Sequence, residues 1–125
     1  MSDFLLVSAG IIGISVAIFH GVLMQKLMIN PILASSYGRQ MRAEVRKLLP
    51  LLLHFSSVFW LFAGIALAVA PYLFDQTTRY TVCVFSICFY LYGAIGNCWG
   101  TGGRHPGWVL LSVSIILILA SIYLA

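Results

Sequence analysis

Long apolar stretches alternate with short polar ones along the chain. The four apolar stretches are 4–24, 48–69, 80–99 and 108–124, and each approaches the ~20 residues that a helix needs to cross a hydrocarbon core of ~30 Å. None of them alternates polar and apolar positions as membrane β-strands do, so only helices can satisfy their backbone hydrogen bonds in lipid. The pattern predicts an all-α membrane protein, a four-transmembrane-helix bundle that forms one domain over residues 1–125.

The composition also indicates that lipid surrounds the chain. Hydrophobic residues make up 62% of the chain and charged residues 8%, whereas a soluble domain carries about 25% charged residues. So few charges cannot cover a surface in water, and the lipid bilayer is therefore a predicted partner. The net charge of +4 is concentrated in one connection rather than on a soluble face, so no nucleic-acid partner is predicted.

The basic residues predict the orientation in the membrane. Six of the seven lysines and arginines fall in the first and third connections: Lys26, Arg39, Arg42, Arg46, Lys47 and Arg104. Only Arg79 lies on the other side. Because positively charged connections stay in the cytoplasm, the first connection, residues 25–47, is predicted to be cytoplasmic and both termini to be non-cytoplasmic.

Within residues 25–47, three arginines recur at intervals of three and four residues: Arg39, Arg42 and Arg46. This spacing predicts a basic amphipathic helix from Gly38 to Leu49 that leads into the second span. Such a helix lies against lipid headgroups, so anionic lipid is a predicted partner of the three arginines.

Small and polar residues mark the faces that are expected to pack. The first span has a stripe with a spacing of four, Ala9, Gly13, Ala17 and Gly21. The third span has a face with spacings of three and four, Cys83, Ser86, Tyr90, Gly93, Asn97 and Gly100. Membrane helices associate through such faces, so we expect these residues to point into the bundle. A homo-oligomer could use the same stripes.

The three histidines of the chain are the candidate functional residues. His20 and His54 lie roughly 6–9 Å inside the cytoplasmic boundary at ~1.5 Å per residue, and His105 stands just before the fourth span. Ionisable groups within a span are costly and are candidates for function. His20, His54 and His105 could bind zinc or copper, and His20 with His54 could ligate a haem axially.

Other roles of these histidines stay open. Imidazoles could relay protons or bind a quinone headgroup, since they titrate near neutral pH. The structural alternative is that His20 hydrogen-bonds a carbonyl or Ser57, and that His105 caps a helix whose first turn contains Pro106. Catalysis by the chain alone is not predicted, because Glu44 is cytoplasmic whereas Asp3 and Asp75 are on the other side. A bound cofactor would have to supply any reaction.

Three stretches resemble a family of small bacterial four-helix inner-membrane proteins. They are HGVLMQKLMINP over residues 20–31, the Leu-Leu-His54 triplet that runs into Trp60, and Arg104-His105-Pro-Gly-Trp108. The resemblance implies four helices in the bacterial inner membrane, with a histidine near the cytoplasmic ends of helices one, two and four, and it implies no activity. The family tends to have Ser after the first histidine and Gly-Glu a little later, whereas this chain has Gly21 and Met24-Gln25.

Two hypotheses for the function follow. The first is a small multi-pass membrane protein, non-catalytic by itself, with a histidine-lined site for a metal ion (copper or zinc) or haem near the cytoplasmic face. The second is a structural accessory subunit of a larger respiratory, photosynthetic or transport complex in the membrane.

Overall fold

The computed structural model describes residues 1–125, and the chain is helical almost throughout, without strands. In chain order the elements are α1 (Ser2–Met24), a π-helical turn (Gln25–Ile29), α2 (Asn30–Ala34), α3 (Ser36–Gln40), α4 (Ala43–Leu73), α5 (Gln76–Thr101) and α6 (Gly107–Tyr123). The prediction of an all-α chain is confirmed.

Three helices are long and apolar enough to cross a membrane. The first is the continuous rod Ser2–Ala34, in which α1 runs through the π-helical turn into α2, and the others are α4 and α5. The rod has 33 residues and α4 has 31, which at ~1.5 Å per residue exceeds a hydrocarbon core of ~30 Å. The fourth apolar helix, α6, is shorter, with 17 residues.

The long helices and α6 form an antiparallel bundle. α1 packs against α4 and α6, and α5 packs against the same two helices. Arg79 at the start of α5 forms an ion pair with Asp3 at the start of α1, and the Ser121 hydroxyl of α6 donates to the Ser2 carbonyl at 2.9 Å. We call this end, where both termini lie, the termini end. The other end, formed by residues 25–47 and 102–106, is the basic end.

The predicted packing faces are confirmed over most of their length. Ala9, Gly13 and Ala17 of α1 are buried, as are Cys83, Ser86, Tyr90 and Gly93 of α5. The α1–α4 contact is tightest at Gly10 and Gly64, where a Cβ added to Gly10 would lie 2.6 Å from the Gly64 carbonyl oxygen. Gly100 departs from the prediction, because it is exposed at the basic end and a Cβ added to it would have no neighbouring atom within 4 Å.

Residues 25–47, which were predicted to connect the first two spans, are largely helical. The predicted amphipathic helix from Gly38 to Leu49 is interrupted, since α3 ends at Gln40 and α4 begins at Ala43. Met41 and Arg42 adopt extended ψ values of 144° and 146°, so the chain turns between the two helices. Arg39 and Arg46 therefore lie on separate helices.

Local capping chemistry explains where several helices begin and end. The Ser35 hydroxyl oxygen accepts a hydrogen bond from the Gly38 N–H at 3.0 Å and caps α3. The Asp75 carboxylate accepts from the Thr78 N–H at 2.8 Å and caps α5. At the other end of α5, Gly102 and Gly103 have φ values of 59° and 76°, which L side chains rarely adopt. The two glycines thus form a tight turn after α5.

The second span does not end at Pro71, although the apolar stretch predicted for it stops at residue 69. α4 continues past it to Leu73. A proline costs a helix its hydrogen bond to the residue four positions earlier and crowds that carbonyl, but here only the last turn remains to be completed, and the Phe74 N–H still bonds the Ala70 carbonyl at 3.2 Å.

Candidate functional site

All three histidines lie toward the basic end, and two of them share a cavity. His20 of α1 and His105, which precedes α6, line a space of about 220 Å³ between α1, α5 and the start of α6. Two leucines complete its wall together with Met24, Met28, Asn97 and Thr101. We call this space the basic-end cavity. It brings together side chains that lie 85 positions apart in the sequence.

His20 is half-buried and is fixed by α4. Its Nδ1 atom lies 2.9 Å from the Ser57 Oγ, and its ring meets the Trp60 ring edge-on, with 4.7 Å between the centroids. This is the contact between His20 and Ser57 that the structural alternative named. Ser57 is buried and its hydroxyl has no other partner, so the arrangement that satisfies both groups has Ser57 donating to Nδ1. The neutral imidazole then carries its proton on Nε2.

His105 is fixed by the first turn of α6. Its Nδ1 atom accepts a hydrogen bond from the Gly107 N–H at 3.0 Å, which confirms the expected capping role. Its own backbone N–H donates to the Thr101 hydroxyl at 3.3 Å. Because Nδ1 is an acceptor, the neutral ring carries its proton on Nε2, as His20 does.

His54 belongs to a different arrangement. Its Nε2 atom lies 2.9 Å from the Gln25 amide oxygen, which can only accept, so Nε2 is the donor. The Gln25 amide nitrogen donates to the Asn30 side-chain oxygen at 2.7 Å. His54 lines a separate cavity of about 130 Å³ with Ser57 and four apolar residues. Its ring therefore joins α4 to the π-helical turn and not to the basic-end cavity.

The π-helical turn begins at Gln25, the partner of His54. Its hydrogen bond runs from the Asn30 N–H to the Gln25 carbonyl, one residue wider than an α-helical bond. Pro31 follows immediately, and its ring would crowd the carbonyl of Leu27 in a regular α-helix. The wider turn relieves that crowding. The sequence hypothesis missed Gln25 and Asn30 as partners of His54, although Asn30-Pro31 is a signal for a helix irregularity.

The structure does not gather the three imidazoles as a set of metal ligands. No group of three or more His, Cys, Asp or Glu side chains lies close enough to hold a metal ion. His20 and His54, the predicted haem ligands, line different cavities. The metal site of His20, His54 and His105 and the haem site of His20 and His54 stay predictions of the sequence.

A second cavity meets the first at His105. It is a groove of about 360 Å³ between α1 and α6, lined by Ser15, Val16, Phe19, His105, Gly107 and Leu110 together with a proline. We call it the α1–α6 groove. Phe19 is four positions after Ser15 and directly precedes His20, so the groove runs along α1 from the middle of the helix toward the basic-end cavity.

Neither cavity is lined by Asp, Glu, Lys or Arg. The arrangement can therefore hold a neutral molecule with a polar group at the basic end and an apolar part along α1 and α6. Met24, Met28 and Thr101 were not singled out from the sequence, although Met24 and Met28 continue the spacing of four from His20. Comparison of the chain with family models, curated proteins and solved structures finds no match.

Proposed function

We propose that this protein is a four-span protein of the bacterial inner membrane that binds a small ligand in the basic-end cavity and has no catalytic activity by itself. In this proposal α6 is the fourth span, because 17 residues reach the lower limit of about 17 for crossing. The basic end faces the cytoplasm, because it carries six of the seven lysines and arginines. Both termini are then non-cytoplasmic.

The observation that carries the proposal is the shared cavity of His20 and His105. In both rings the Nδ1 atom is already hydrogen-bonded, to Ser57 and to Gly107. Each ring therefore has its orientation and tautomer fixed by a neighbour, while Nε2 is left without a protein partner. Fixed polar groups in a mostly apolar cavity are the usual composition of a ligand site.

Anionic lipid headgroups are the proposed surroundings of this site. Arg39 and Arg42 are exposed, and Arg46 is partly exposed. Arg42 lies 3.7 Å from the exposed Glu44 carboxylate, an ion pair that contributes little in water. The arginines remain available to lipid phosphates, which supports the contact that the sequence predicts.

The first test is to identify what the purified protein carries. The protein is purified in mild detergent, and iron, copper and zinc are quantified per chain alongside an organic extract analysed by mass spectrometry. The variants are His20→Ala and His105→Ala, and the matched control is His54→Ala, which removes the histidine outside the cavity. We expect one metal or small molecule to be lost in the first two variants and retained in the control. A wild-type protein that carries nothing these variants remove contradicts the proposal.

A second candidate function, an accessory subunit of a larger membrane complex, is favoured by one open surface of α5. Gly96 and Gly100 form a small-xxx-small pair, are exposed, and have no neighbour within 4 Å of an added Cβ. Such pairs let the backbones of two membrane helices approach. Under this hypothesis Gly96→Leu releases a co-purifying subunit and leaves the fold intact, whereas Leu119→Phe on the exposed face of α6 does not. Retention of the partner by Gly96→Leu would eliminate this surface as the contact.

A further inference from the structure

The size of the basic-end cavity favours an organic group over a bare ion. Its volume of about 220 Å³ corresponds to about seven water molecules at ~30 Å³ each. A zinc or copper ion requires donors at about 2.0–2.3 Å, which a space of this size does not bring together. Ligation of a metal through Nε2 of His105 would also require the proton to move to Nδ1, at the expense of the hydrogen bond from Gly107.

The polar groups of the cavity define the head of the ligand. The Nε2–H groups of His20 and His105 are hydrogen-bond donors without a protein acceptor. The Asn97 amide nitrogen donates one of its two N–H groups to the Gly93 carbonyl at 2.8 Å, so the second N–H and the Oδ1 atom remain as a donor and an acceptor. These donors and this acceptor match a group that has carbonyl oxygens when oxidised and hydroxyls when reduced.

The lining residues also define the charge of the ligand and its apolar part. Neither cavity is lined by Lys or Arg, so a phosphate, a fatty-acid carboxylate or the propionates of haem would enter without a charge partner. The α1–α6 groove supplies Phe19, Leu110 and Val16 for an apolar chain. His105 lines both spaces, so a head in the cavity and a tail along the groove would adjoin the same ring.

We infer that the ligand is a neutral membrane quinone, with its ring in the basic-end cavity and its apolar tail in the α1–α6 groove. The inference rests on the proposed function, since it names the ligand class of the same site. It concerns binding alone. His20 and His105 hold the ring oxygens, and Asn97 accepts from a hydroxyl when the ring is reduced.

Titration with a decyl-substituted benzoquinone tests the head contacts. Binding to the full-length protein in detergent is measured by calorimetry for the wild type, His20→Ala and His105→Ala, with His54→Ala as control. We expect each cavity variant to raise Kd by roughly tenfold, as the loss of a buried hydrogen bond predicts, and the control to leave it unchanged. An equal Kd in all four proteins overturns the inference.

A matched pair of tryptophan substitutions tests the tail. Leu110→Trp fills the α1–α6 groove, whereas Ile116→Trp lies on the exposed face of the same helix and lines no cavity described above. We expect Leu110→Trp to weaken the decyl-substituted quinone by tenfold or more and to leave a quinone without the tail unaffected. Equal effects of the two substitutions would show that the tail does not occupy the groove.

The lipid extract distinguishes failure of the inference from failure of the proposed function. A quinone enriched in the wild type and lost in His105→Ala supports both. Another neutral lipid, such as a diacylglycerol or a sterol-like triterpenoid, with the same dependence on His105 overturns the quinone but keeps the ligand site. A metal lost in His105→Ala likewise overturns the quinone but keeps the ligand site. The absence of any ligand that depends on His105, together with no quinone binding, overturns both.

Discussion

Toward the termini end, α1 and α4 touch backbone to backbone at Gly10 and Gly64, whereas toward the basic end the same helices meet through polar side chains. There His20 contacts Ser57, and His54 contacts Gln25. One cavity, which His54 and Ser57 line, lies between α1 and α4 in this second region, and the two cavities that His105 lines lie on other sides of α1. One pair of helices thus has a close-packed half and an open half.

The difference follows from the residues at the contact. Lipid does not drive helices together as water does, so close packing between small residues supplies much of the association. Toward the basic end the contact uses histidine, serine and glutamine side chains, and a cavity of about 130 Å³ remains beside His54 and Ser57. We therefore expect the close-packed half to determine stability and the open half to determine binding, and the following substitutions test this expectation.

The largest expected effect is that of Gly10→Val. The added Cβ would lie 2.6 Å from the Gly64 oxygen and 2.7 Å from the Ala68 nitrogen, which are backbone atoms that cannot move aside separately. Overpacking of this kind costs about 3 kcal/mol, at the upper end of its usual range. The measurement is the free energy of unfolding in mixed micelles.

The matched control is Gly96→Val on the open surface of α5. No atom lies within 4 Å of its added Cβ, so only the small difference in helix propensity between valine and glycine remains. If the two valine variants unfold with the same free energy, the close contact between α1 and α4 does not stabilise the bundle.

Tyr90→Phe should stabilise the protein, whereas Gly10→Val destabilises it. The Tyr90 side chain is fully buried in the close-packed half, its hydroxyl lies against Gly13, and that hydroxyl has no hydrogen-bond partner. Removing an unsatisfied buried hydroxyl should stabilise the protein by about 1 kcal/mol or more. The thermal unfolding midpoint is measured, with Tyr92→Phe as the control because Tyr92 is 79% exposed. A lower midpoint for Tyr90→Phe would show that the hydroxyl has a partner in the membrane.

The sequence predicted most of the close-packed half because its pattern is local, although the predicted stripe in α1 did not include Gly10. A spacing of four small residues in α1 and of three and four in α5 is visible within each helix, and it correctly placed Gly13 and Tyr90 inside. The same reasoning placed Gly100 inside as well, although a Cβ added there would have no atom of another helix within 4 Å. Periodicity identifies a face of a helix but not how far along that face a neighbouring helix packs.

The open half could be predicted only in part. The His20–Ser57 hydrogen bond and the capping by His105 were foreseeable from depth in the membrane and from the following proline. The pairing of His54 with Gln25 was not, because it depends on which polar side chains of α1 and α4 face each other. Hydrophobicity patterns do not show which side chains those are.

A smaller effect is expected from Ser114→Ala. The Ser114 hydroxyl of α6 donates to the Ala9 carbonyl of α1 at 2.8 Å, within the close-packed half. Hydrogen bonds between membrane helices contribute about 0.6 kcal/mol on average, so Ser114→Ala should lower the free energy of unfolding by that amount. Ser8→Ala is the control, because the Ser8 hydroxyl bonds only the Phe4 carbonyl of its own helix. Equal losses in both variants would argue against a contribution from the α1–α6 bond.

The smallest expected effect is confined to the termini end and depends on pH. The side-chain and backbone hydrogen bonds of Thr78 lower the pKa of the Asp75 carboxyl below its ordinary value of 3.8. The stabilisation by this cap is complete above that ordinary value and is lost as the pH falls through the lower pKa of the folded state. The unfolding midpoint should therefore fall between about pH 5 and pH 2. It should fall less in Asp75→Asn, which keeps a capping oxygen that does not titrate. At the basic end α5 ends at Gly102 and Gly103, and this cap contains no titratable group. If the unfolding midpoint of Asp75→Asn falls with pH as much as that of the wild type, the acid dependence comes from elsewhere in the protein.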